Sequence, residues 1–289
     1  MSKPNQIYNP KWNSYIELWQ GIQPPWRPNQ NQLDFYLKYL KKYLIKQPKP
    51  KVLIFGSTPE TRDICAKLKL NVTCFDANEG MYYGMKKMMR QDPKKEKFIQ
   101  GKWENTDQFF QKEEFDIVFS DETQVNMVLK DWGKNFRDIN IILKKNGFYF
   151  FSTMVANLDQ KITFEKVFKK YQHNPKFFRN FQNQVDIFYS LLANYSFNSE
   201  ARAYAFHDLK EKLKAYASRN QIESKVLGKI WPIQGDIKKE ILGNYIEVDP
   251  TVGEIYELLF PYFYVEDFYI DSSHSVYRLR RDMVLRPKK

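Results

Sequence analysis

The stretch from Lys51 to Glu60 constrains the fold of this chain more than any other. It starts with the apolar run Val52 to Phe55, which is typical of a strand buried on both faces. Gly56 ends the run, and Pro59 has the fixed φ that suits the first turn of a helix. A strand that turns through glycine into a helix N-terminus directs backbone N–H groups at one point, where a carboxylate or a phosphate can bind. An ordinary strand-to-helix turn is the alternative.

The composition indicates a globular protein with a large core. The chain has 289 residues, of which 43% are hydrophobic and 17% aromatic. No apolar run approaches the roughly 20 residues of a membrane span, and the N-terminus lacks the apolar core of a signal peptide. Cys65 and Cys74 fall on the first predicted helix and the second predicted strand, so we expect reduced core cysteines, no metal site and a cytoplasmic location.

The net charge of +12 permits an anionic partner such as RNA. However, the lysines are scattered in pairs along the chain, and no arginine-rich tract stands among them. This distribution favours a solvated surface over a nucleic-acid footprint. An RNA partner therefore stays as the weaker alternative.

Strands and helices alternate from residue 51 to residue 154. Apolar patterns predict strands at 51–55, 71–76, 97–100, 114–121 and 147–154, with helices at 60–70, 79–90 and 124–145 between them. The second and fourth strands each end on an acid, Asp76 and Asp121. Such alternation forms a parallel sheet with right-handed crossovers, and its ligands bind at the carboxyl ends of the strands.

The regions on either side of this core have other patterns. Residues 1–50 predict an aromatic leader with helices at 10–20 and 31–45, packed on the core. Residues 155–250 predict helices only, as an insert or substrate cap. Residues 251–289 predict a helix at 252–259 and strands at 262–270 and 276–285. A tight loop joins these two strands, so they should pair antiparallel and complete the core that begins at residues 51–154.

Taken together, these features resemble the α/β, Rossmann-like fold of class I S-adenosylmethionine (SAM)-dependent methyltransferases. That fold has a seven-stranded, mostly parallel sheet with a C-terminal antiparallel hairpin, and the resemblance leaves the helical insert unmatched. In detail, four segments are similar to one branch of the family that has Thr-Pro-Glu where most members have further glycines. They are Trp26-Arg-Pro28, Val52-Leu-Ile-Phe-Gly-Ser-Thr-Pro-Glu60, Gln100-Gly-Lys-Trp103 and Phe115-Asp-Ile-Val-Phe-Ser-Asp121.

The resemblance implies SAM as the cofactor and assigns a role to each matching position. It implies the following candidates: Gly56, Ser57 and Thr58 at the methionine end of the cofactor, Asp76 and Ala77 at the ribose, Lys102 and Trp103 beside the adenine, Ser120 and Asp121 on the floor of the methyl-transfer site, and Arg27 at the cofactor carboxylate. Asp121 is thus one catalytic candidate. His207, in the insert, is a second.

Several of these residues have structural alternatives. Asp76 could cap the next helix, although a carboxylate also suits the two O–H donors of a ribose. Asp121 could pair with a surface lysine, and Arg27 could stabilise its proline-rich turn. Lys102 departs from the family pattern, because many members have an acid there that accepts from the adenine amino group and lysine cannot accept. We interpret Asp208, next to His207, as a helix N-cap.

Two other enzyme classes fit the sequence less well. A dinucleotide dehydrogenase normally needs G-x-G-x-x-G so that its backbone can approach a pyrophosphate, and here only Gly56 remains of that motif. DNA amino methylation is disfavoured because Ser-Asp-Glu-Thr stands after the fourth strand in place of Asp/Asn-Pro-Pro-Tyr.

We therefore predict a SAM-dependent methyltransferase, with a small molecule as its methyl acceptor because a long aromatic insert suits an enclosed pocket. A degenerate, methyltransferase-like domain that binds RNA or a protein is the non-enzymatic alternative.

Overall fold

The computed structural model describes Trp19, residues 21–232 and residues 245–289. Except for Trp19, the helix predicted over residues 10–20 lies outside the described residues, and so do residues 233–244 of the predicted insert. Within these ranges, no helix has both the length and the apolar character that crossing a membrane requires.

Seven strands form the central sheet: β1 (Lys51–Phe55), β2 (Asn71–Asp76), β3 (Glu96–Gln100), β4 (Phe115–Asp121), β5 (Leu143–Met154), β9 (Phe263–Tyr269) and β10 (Arg280–Pro287). Their order across the sheet is β3-β2-β1-β4-β5-β10-β9. Strands β1 to β5 pair in parallel, while β10 pairs antiparallel with both β5 and β9. The predicted seven-stranded, mostly parallel sheet with its C-terminal antiparallel pair is therefore confirmed.

Helices cover both faces of this sheet, as its buried strands require. One face packs against α1 (Gln30–Lys46), α2 (Pro59–Lys67) and α3 (Glu79–Lys86). The other face packs against α4 (Leu129–Ile142) and α9 (Val252–Leu259). Pro59 opens α2, as the sequence predicts. The predicted free, buried state of the two cysteines is also confirmed.

Two of these helices are shorter than their apolar patterns predict. Helix α2 ends at Lys67 because Lys69 adopts a positive φ of 58°, which turns the chain back. Helix α3 ends at Lys86, and the following chain bends so that the backbone N–H groups of Arg90 and Gln91 donate to the Asp63 carboxylate.

The helix predicted over residues 124–145 is wrong at both ends. A short 3-10 helix (Gln124–Asn126) comes first, and α4 then ends at Ile142, where β5 begins. Gly147, two residues after the end of the predicted helix, lies inside β5 beside an irregularity in the pairing with β4. A Cβ at this position would lie 2.7 Å from the Asp116 carbonyl oxygen, so glycine permits a close approach of the two strands.

The prediction that residues 155–250 contain only helices is also wrong. The described part of this region, residues 155–232 and 245–250, is called the cap below. Its helices are joined by a three-stranded antiparallel sheet whose strands are too short for a period of two to be visible. The cap elements are α5 (Phe164–His173), α6 (Phe181–Tyr195), β6 (Phe197–Asn198), β7 (Ala203–Ala205), α7 (Phe206–Arg219), α8 (Ser224–Ile230) and β8 (Ile246–Val248).

The C-terminal hairpin is confirmed in its pairing but differs at one boundary. The last strand begins at Arg280, four residues later than predicted, because Ser275–Leu279 form a 3-10 helix. Val276 of this helix is fully buried against the aromatic core of the cap. The cap therefore contacts the chain immediately before β10.

Candidate functional site

Gly56 is the turn between β1 and α2 at the carboxyl edge of the sheet. Its φ is +85°, a conformation that residues with a Cβ rarely adopt. Its backbone N–H donates to the Phe75 carbonyl at 2.9 Å, and a Cβ built on it would lie 3.8 Å from the Trp103 ring. The ends of β1 and β2 and the Trp103 side chain therefore meet at this glycine.

Asp76 ends β2 beside this turn and is 7% exposed. One carboxylate oxygen accepts from the Ser57 hydroxyl at 3.2 Å, and the other accepts from the Asn78 backbone N–H at 2.9 Å. Burial raises the pKa of Asp76 to about 6. The next helix is capped by Asn78, whose side chain accepts from the Met81 N–H, so Asp76 is not its N-cap. Each carboxylate oxygen can accept a further hydrogen bond.

The residues predicted beside the adenine follow β3. The Trp103 indole donates to the Phe75 carbonyl at 2.9 Å, which fixes the ring next to Gly56. Lys102 is exposed, and the Ala77 carbonyl accepts from the Gln100 side-chain amide at 3.0 Å. Trp103 is thus held in place by the main chain of β2.

Thr58 and Ser120, two residues predicted at the cofactor site, have hydrogen bonds within the protein. The Thr58 carbonyl accepts the first backbone hydrogen bond of α2, from Arg62. The Ser120 hydroxyl is buried and bonds to the Gln124 side chain, which in turn donates to Asn135 and Tyr149. The side chain of Ser120 therefore belongs to a polar network within the core.

Arg27 also has protein partners. Its guanidinium pairs with Glu60 near the start of α2, with Nε donating at 2.8 Å, and Nη1 donates to the carbonyls of Trp19 (3.1 Å) and Ile22 (3.3 Å). These contacts favour the structural role that the sequence left open.

Asp121, at the end of β4, pairs with the buried Arg280 and accepts from the Ser152 hydroxyl at 2.8 Å. Arg280 also donates to Glu122 at 2.8 Å and to Asp282 at 3.3 Å. The partner of Asp121 is therefore a buried arginine from β10, and within the described residues no surface lysine pairs with Asp121.

Two acids of the cap extend this group. Glu247 of β8 is 4% exposed and accepts from the Tyr189 hydroxyl at 2.6 Å, while the Tyr189 oxygen accepts from the Trp26 indole at 2.8 Å. Asp249 is fully buried, and neither of its carboxylate oxygens has a hydrogen-bond donor in the described part of the chain. We call Asp121, Glu122, Glu247, Asp249 and Asp282, together with Arg280, the acidic cluster.

The cluster lies next to the Gly56 turn. Glu122 adopts a positive φ of 51°, which is uncommon for a residue with a Cβ. The next residue, Thr123, donates its hydroxyl to the Phe55 carbonyl at 3.2 Å, and that hydroxyl lies 4.0 Å from a Cβ built on Gly56. The acidic cluster and the predicted cofactor residues thus share one edge of the sheet.

His207, the second catalytic candidate, lies half-buried in the first turn of α7. The N-cap of this helix is Ala205, because the buried Phe206 already begins the helix, so the predicted Asp208 cap is wrong. Within the described ranges, no hydrogen bond or ion pair joins His207 to the acidic cluster. Its role in catalysis stays a prediction.

Sequence reasoning missed Glu247, Asp249 and Arg280. The two acids have only a weak signal: apolar and acidic side chains alternate over residues 246–249, which would place Glu247 and Asp249 on one face of a strand, but four residues are too few to identify one. Arg280 has no comparable local signal, because three arginines occur within residues 278–281 and the sequence does not indicate which of them is buried.

Residues 56–151 match a family model described as a methyltransferase domain. No curated protein matched the chain. Among solved structures, the CcbJ methyltransferase from Streptomyces caelestis aligns over 98% of this chain and 100% of its own, with a TM-score of 0.58 and 9% identity.

Two further structures align in the same way. A putative Zn-dependent alcohol dehydrogenase from Rhodobacter sphaeroides covers 97% of this chain and 100% of its own, with a TM-score of 0.58 and 12% identity. A SAM-dependent methyltransferase from Methanosarcina mazei covers 86% and 96%, with a TM-score of 0.50 and 12% identity. At these identities the alignments show a shared fold, and a fold alone does not determine an activity.

The fold is the α/β, Rossmann-like fold of class I methyltransferases, as the sequence predicts. The family match over residues 56–151 supports a methyltransferase. The particular branch with Thr-Pro-Glu after the first glycine stays a prediction.

Proposed function

We propose that this chain transfers a methyl group from SAM to a small-molecule acceptor. The observation that carries the proposal is Asp76, a buried carboxylate with remaining acceptor capacity, beside the positive-φ turn at Gly56. A carboxylate at the end of the second strand suits the two hydroxyls of a ribose. The residues present therefore fit the nucleoside part of this cofactor.

Each residue at this edge has a role in the proposal. Asp76 would accept from the ribose hydroxyls, and Ser57, which donates to Asp76, would orient its carboxylate. The Gly56 turn would admit the cofactor close to the backbone, and the Trp103 ring would form the adjoining wall. Bound SAM would supply an activated methyl group on a sulfonium, so the protein mainly has to align the acceptor and exclude water.

The acceptor would bind between this edge and the cap. The cap has its own aromatic core, which includes Phe188 and Tyr189 of α6. Trp26 packs edge-on against Phe188 and donates to Tyr189, so the segment before α1 also contributes to this side. A position between the sheet edge and an aromatic cap would suit a small molecule better than a polymer.

The non-enzymatic alternative, a module that binds RNA, fits this edge less well. The residues between the sheet and the cap are predominantly acidic, and phosphate groups bind to basic side chains. This alternative is motivated by the exposed Lys102, by the missing later glycines of the turn after β1, and by the net charge of +12.

The proposal is tested by calorimetric titration with SAM and with S-adenosylhomocysteine. We expect micromolar dissociation constants, and an at least tenfold weaker affinity in Asp76→Ala, or about 1.4 kcal/mol. Asp92→Ala, which removes an exposed acid before β3, is the matched control and should bind like the wild type. If neither ligand binds to the wild type, the proposal is wrong.

A further inference from the structure

Asp249 is the residue from which the inference starts. It is fully buried, and both carboxylate oxygens lack a hydrogen-bond donor among the described residues. Its neighbours are two other acids, Glu247 and Glu122, which together with burial raise the pKa of Asp249. The carboxyl groups of Asp249 and Glu247 can hydrogen-bond to each other only while one of them is protonated. Buried carboxylates normally accept hydrogen bonds from several donors, whereas in the described residues only a protonated Glu247 could donate to Asp249.

The charges of the acidic cluster do not balance. Arg280 is the cation that lies inside the cluster, and it pairs with Asp121, Glu122 and Asp282. Asp282 also accepts from the Tyr36 hydroxyl at 2.6 Å and from the Gln32 amide at 2.7 Å. Glu247 and Asp249 have no cation in the described residues, and Tyr189 supplies Glu247 with a neutral donor.

Geometry connects this unbalanced charge to the site of methyl transfer. Strand β8, which carries Glu247, packs against the 3-10 helix Gln124–Asn126 that follows β4. The Ala156 N–H donates to the Pro250 carbonyl at 3.1 Å, which joins the end of β8 to the end of β5. The two acids therefore face the carboxyl ends of β4 and β5, on the side of the Gly56 turn where the acceptor is proposed to bind.

The surroundings also distinguish between kinds of cation. Tyr189 lies 6.1 Å, centroid to centroid, from Tyr204, and the Trp26 ring lies 6.3 Å from Tyr189. Carboxylates that adjoin aromatic side chains suit an organic ammonium group. A hard metal ion needs six or more oxygen ligands, whereas Asp121 and Glu122 are already bonded to Arg280.

We propose that Glu122, Glu247 and Asp249 bind the methyl acceptor as a protonated amine, and that its nitrogen is the atom that becomes methylated. This inference rests on the proposed function. The ammonium nitrogen would transfer one proton to the Glu247–Asp249 pair and so expose its lone pair. That lone pair would form a bond to the methyl carbon of SAM as the carbon–sulfur bond breaks, and the bonding electrons would remain on sulfur.

The first experiment measures binding without the cofactor. The thermal midpoint and ligand-observed NMR are recorded with 2-phenylethylamine, putrescine and ethanolamine, and with 2-phenylethanol and phenylacetate as neutral and anionic matches. We expect at least one amine to bind and to raise the midpoint, while the neutral and anionic compounds do not. If no amine binds, or if 2-phenylethanol binds as tightly as 2-phenylethylamine, the inference is overturned.

The second experiment uses variants. Asp249→Asn and Glu247→Gln should each weaken the best amine at least tenfold and leave the affinity for S-adenosylhomocysteine within about twofold, whereas Glu200→Gln, an exposed acid of the cap, should change neither. Equal amine affinity in all four proteins would refute the assignment. If the protein binds S-adenosylhomocysteine but no amine, only this inference is wrong. If it binds an amine but not S-adenosylhomocysteine, the proposed function is wrong and the cation site remains supported.

Discussion

Buried carboxylates lie at both ends of the parallel strands, and the two ends differ in what surrounds them. At the amino ends, Asp116 is 3% exposed and accepts from the Lys51 N–H (2.9 Å), the Tyr43 hydroxyl (3.0 Å) and the Lys144 ammonium (2.9 Å). At the carboxyl ends, Asp249 is fully buried and has no donor in the described part of the chain. An acid with three donors stabilises a fold, whereas an acid with none destabilises it.

The difference indicates where the fold has been arranged for a ligand. Stability alone would favour donors at both ends, and natural proteins commonly give up stability at their functional sites. The predictions below test whether the acids at the carboxyl ends depend on something that the folded chain itself does not supply.

The largest effect is expected at Arg280, which is 1% exposed and joins three of the acids. Arg280→Met leaves these carboxylates buried without a cation and should lower the free energy of unfolding by about 3–5 kcal/mol in urea denaturation. Arg281→Met is the control, because the Arg281 side chain donates to backbone carbonyls, and it should cost less than about 1 kcal/mol. Equal losses in the two variants would contradict the described cluster.

The second prediction compares the two ends directly. Asp116→Asn removes a charge that has three donors and should destabilise the protein by about 1–3 kcal/mol. Asp249→Asn replaces a carboxyl group that has no donor in the described part of the chain and places an amide next to Glu247, so it should stabilise the ligand-free protein by about 1 kcal/mol. Thermal and urea unfolding check both values. A loss of stability in both variants would show that the two ends are alike.

The stability difference should also depend on pH. Burial raises the pKa of Asp249, so between the unfolded value, about 4, and the higher folded value the folded state holds more protons. The stability contributed by this group therefore falls as pH rises above about 4. Its charged and titratable neighbours Glu122, Glu247, Tyr189 and Tyr204 remain in the variant. The stability of Asp249→Asn relative to the wild type should consequently be greater at pH 8 than at pH 5. An equal difference at the two pH values would contradict a raised pKa for Asp249.

A smaller effect concerns Asp76 on the cofactor side. Because its pKa is about 6, only about a tenth of the protein carries the ionised carboxylate at pH 5. The affinity for S-adenosylhomocysteine should therefore be about tenfold lower at pH 5 than at pH 7.5. In Asp76→Asn this dependence should disappear, since an amide oxygen accepts at either pH. Calorimetry at both pH values on both proteins makes the measurement, and parallel profiles would exclude Asp76 as the titrating contact.

The smallest effect is expected at His207. No hydrogen bond joins it to the acidic cluster in the residues that the structure describes, and Glu211, one turn further along α7, is its charged neighbour. Once an acceptor is known, His207→Gln should change kcat by less than about twofold. A loss of a hundredfold or more would restore His207 as a general base.

The cofactor side could be predicted from the sequence because its residues follow consecutive strands. Gly56, Asp76 and Trp103 come after β1, β2 and β3, and parallel strands bring their carboxyl ends to one edge. Local patterns therefore placed Gly56 and Asp76 at this edge, and the family resemblance added Trp103. The contacts of Ser120 could not be predicted, because the direction of its side chain depends on Gln124 and Tyr149.

The acceptor side could not be predicted, because its residues come from separate parts of the chain. Glu122 follows β4, Glu247 lies on a three-residue strand of the cap, and Arg280 begins the last strand. A strand as short as β8 has too few residues for its alternation to stand out from the surrounding pattern. The cap was predicted as helical throughout, which hid the strand that carries two of the acids.

A crystal structure of the protein with S-adenosylhomocysteine would test most directly whether the two sides form one site. We expect the ribose to lie against Asp76 and the sulfur to lie on the side of Glu122. The side of the sulfur that carries the methyl group in SAM would then face Glu247 and Asp249. S-adenosylhomocysteine bound away from Gly56 and Asp76, or with its sulfur turned away from the acidic cluster, would contradict the account.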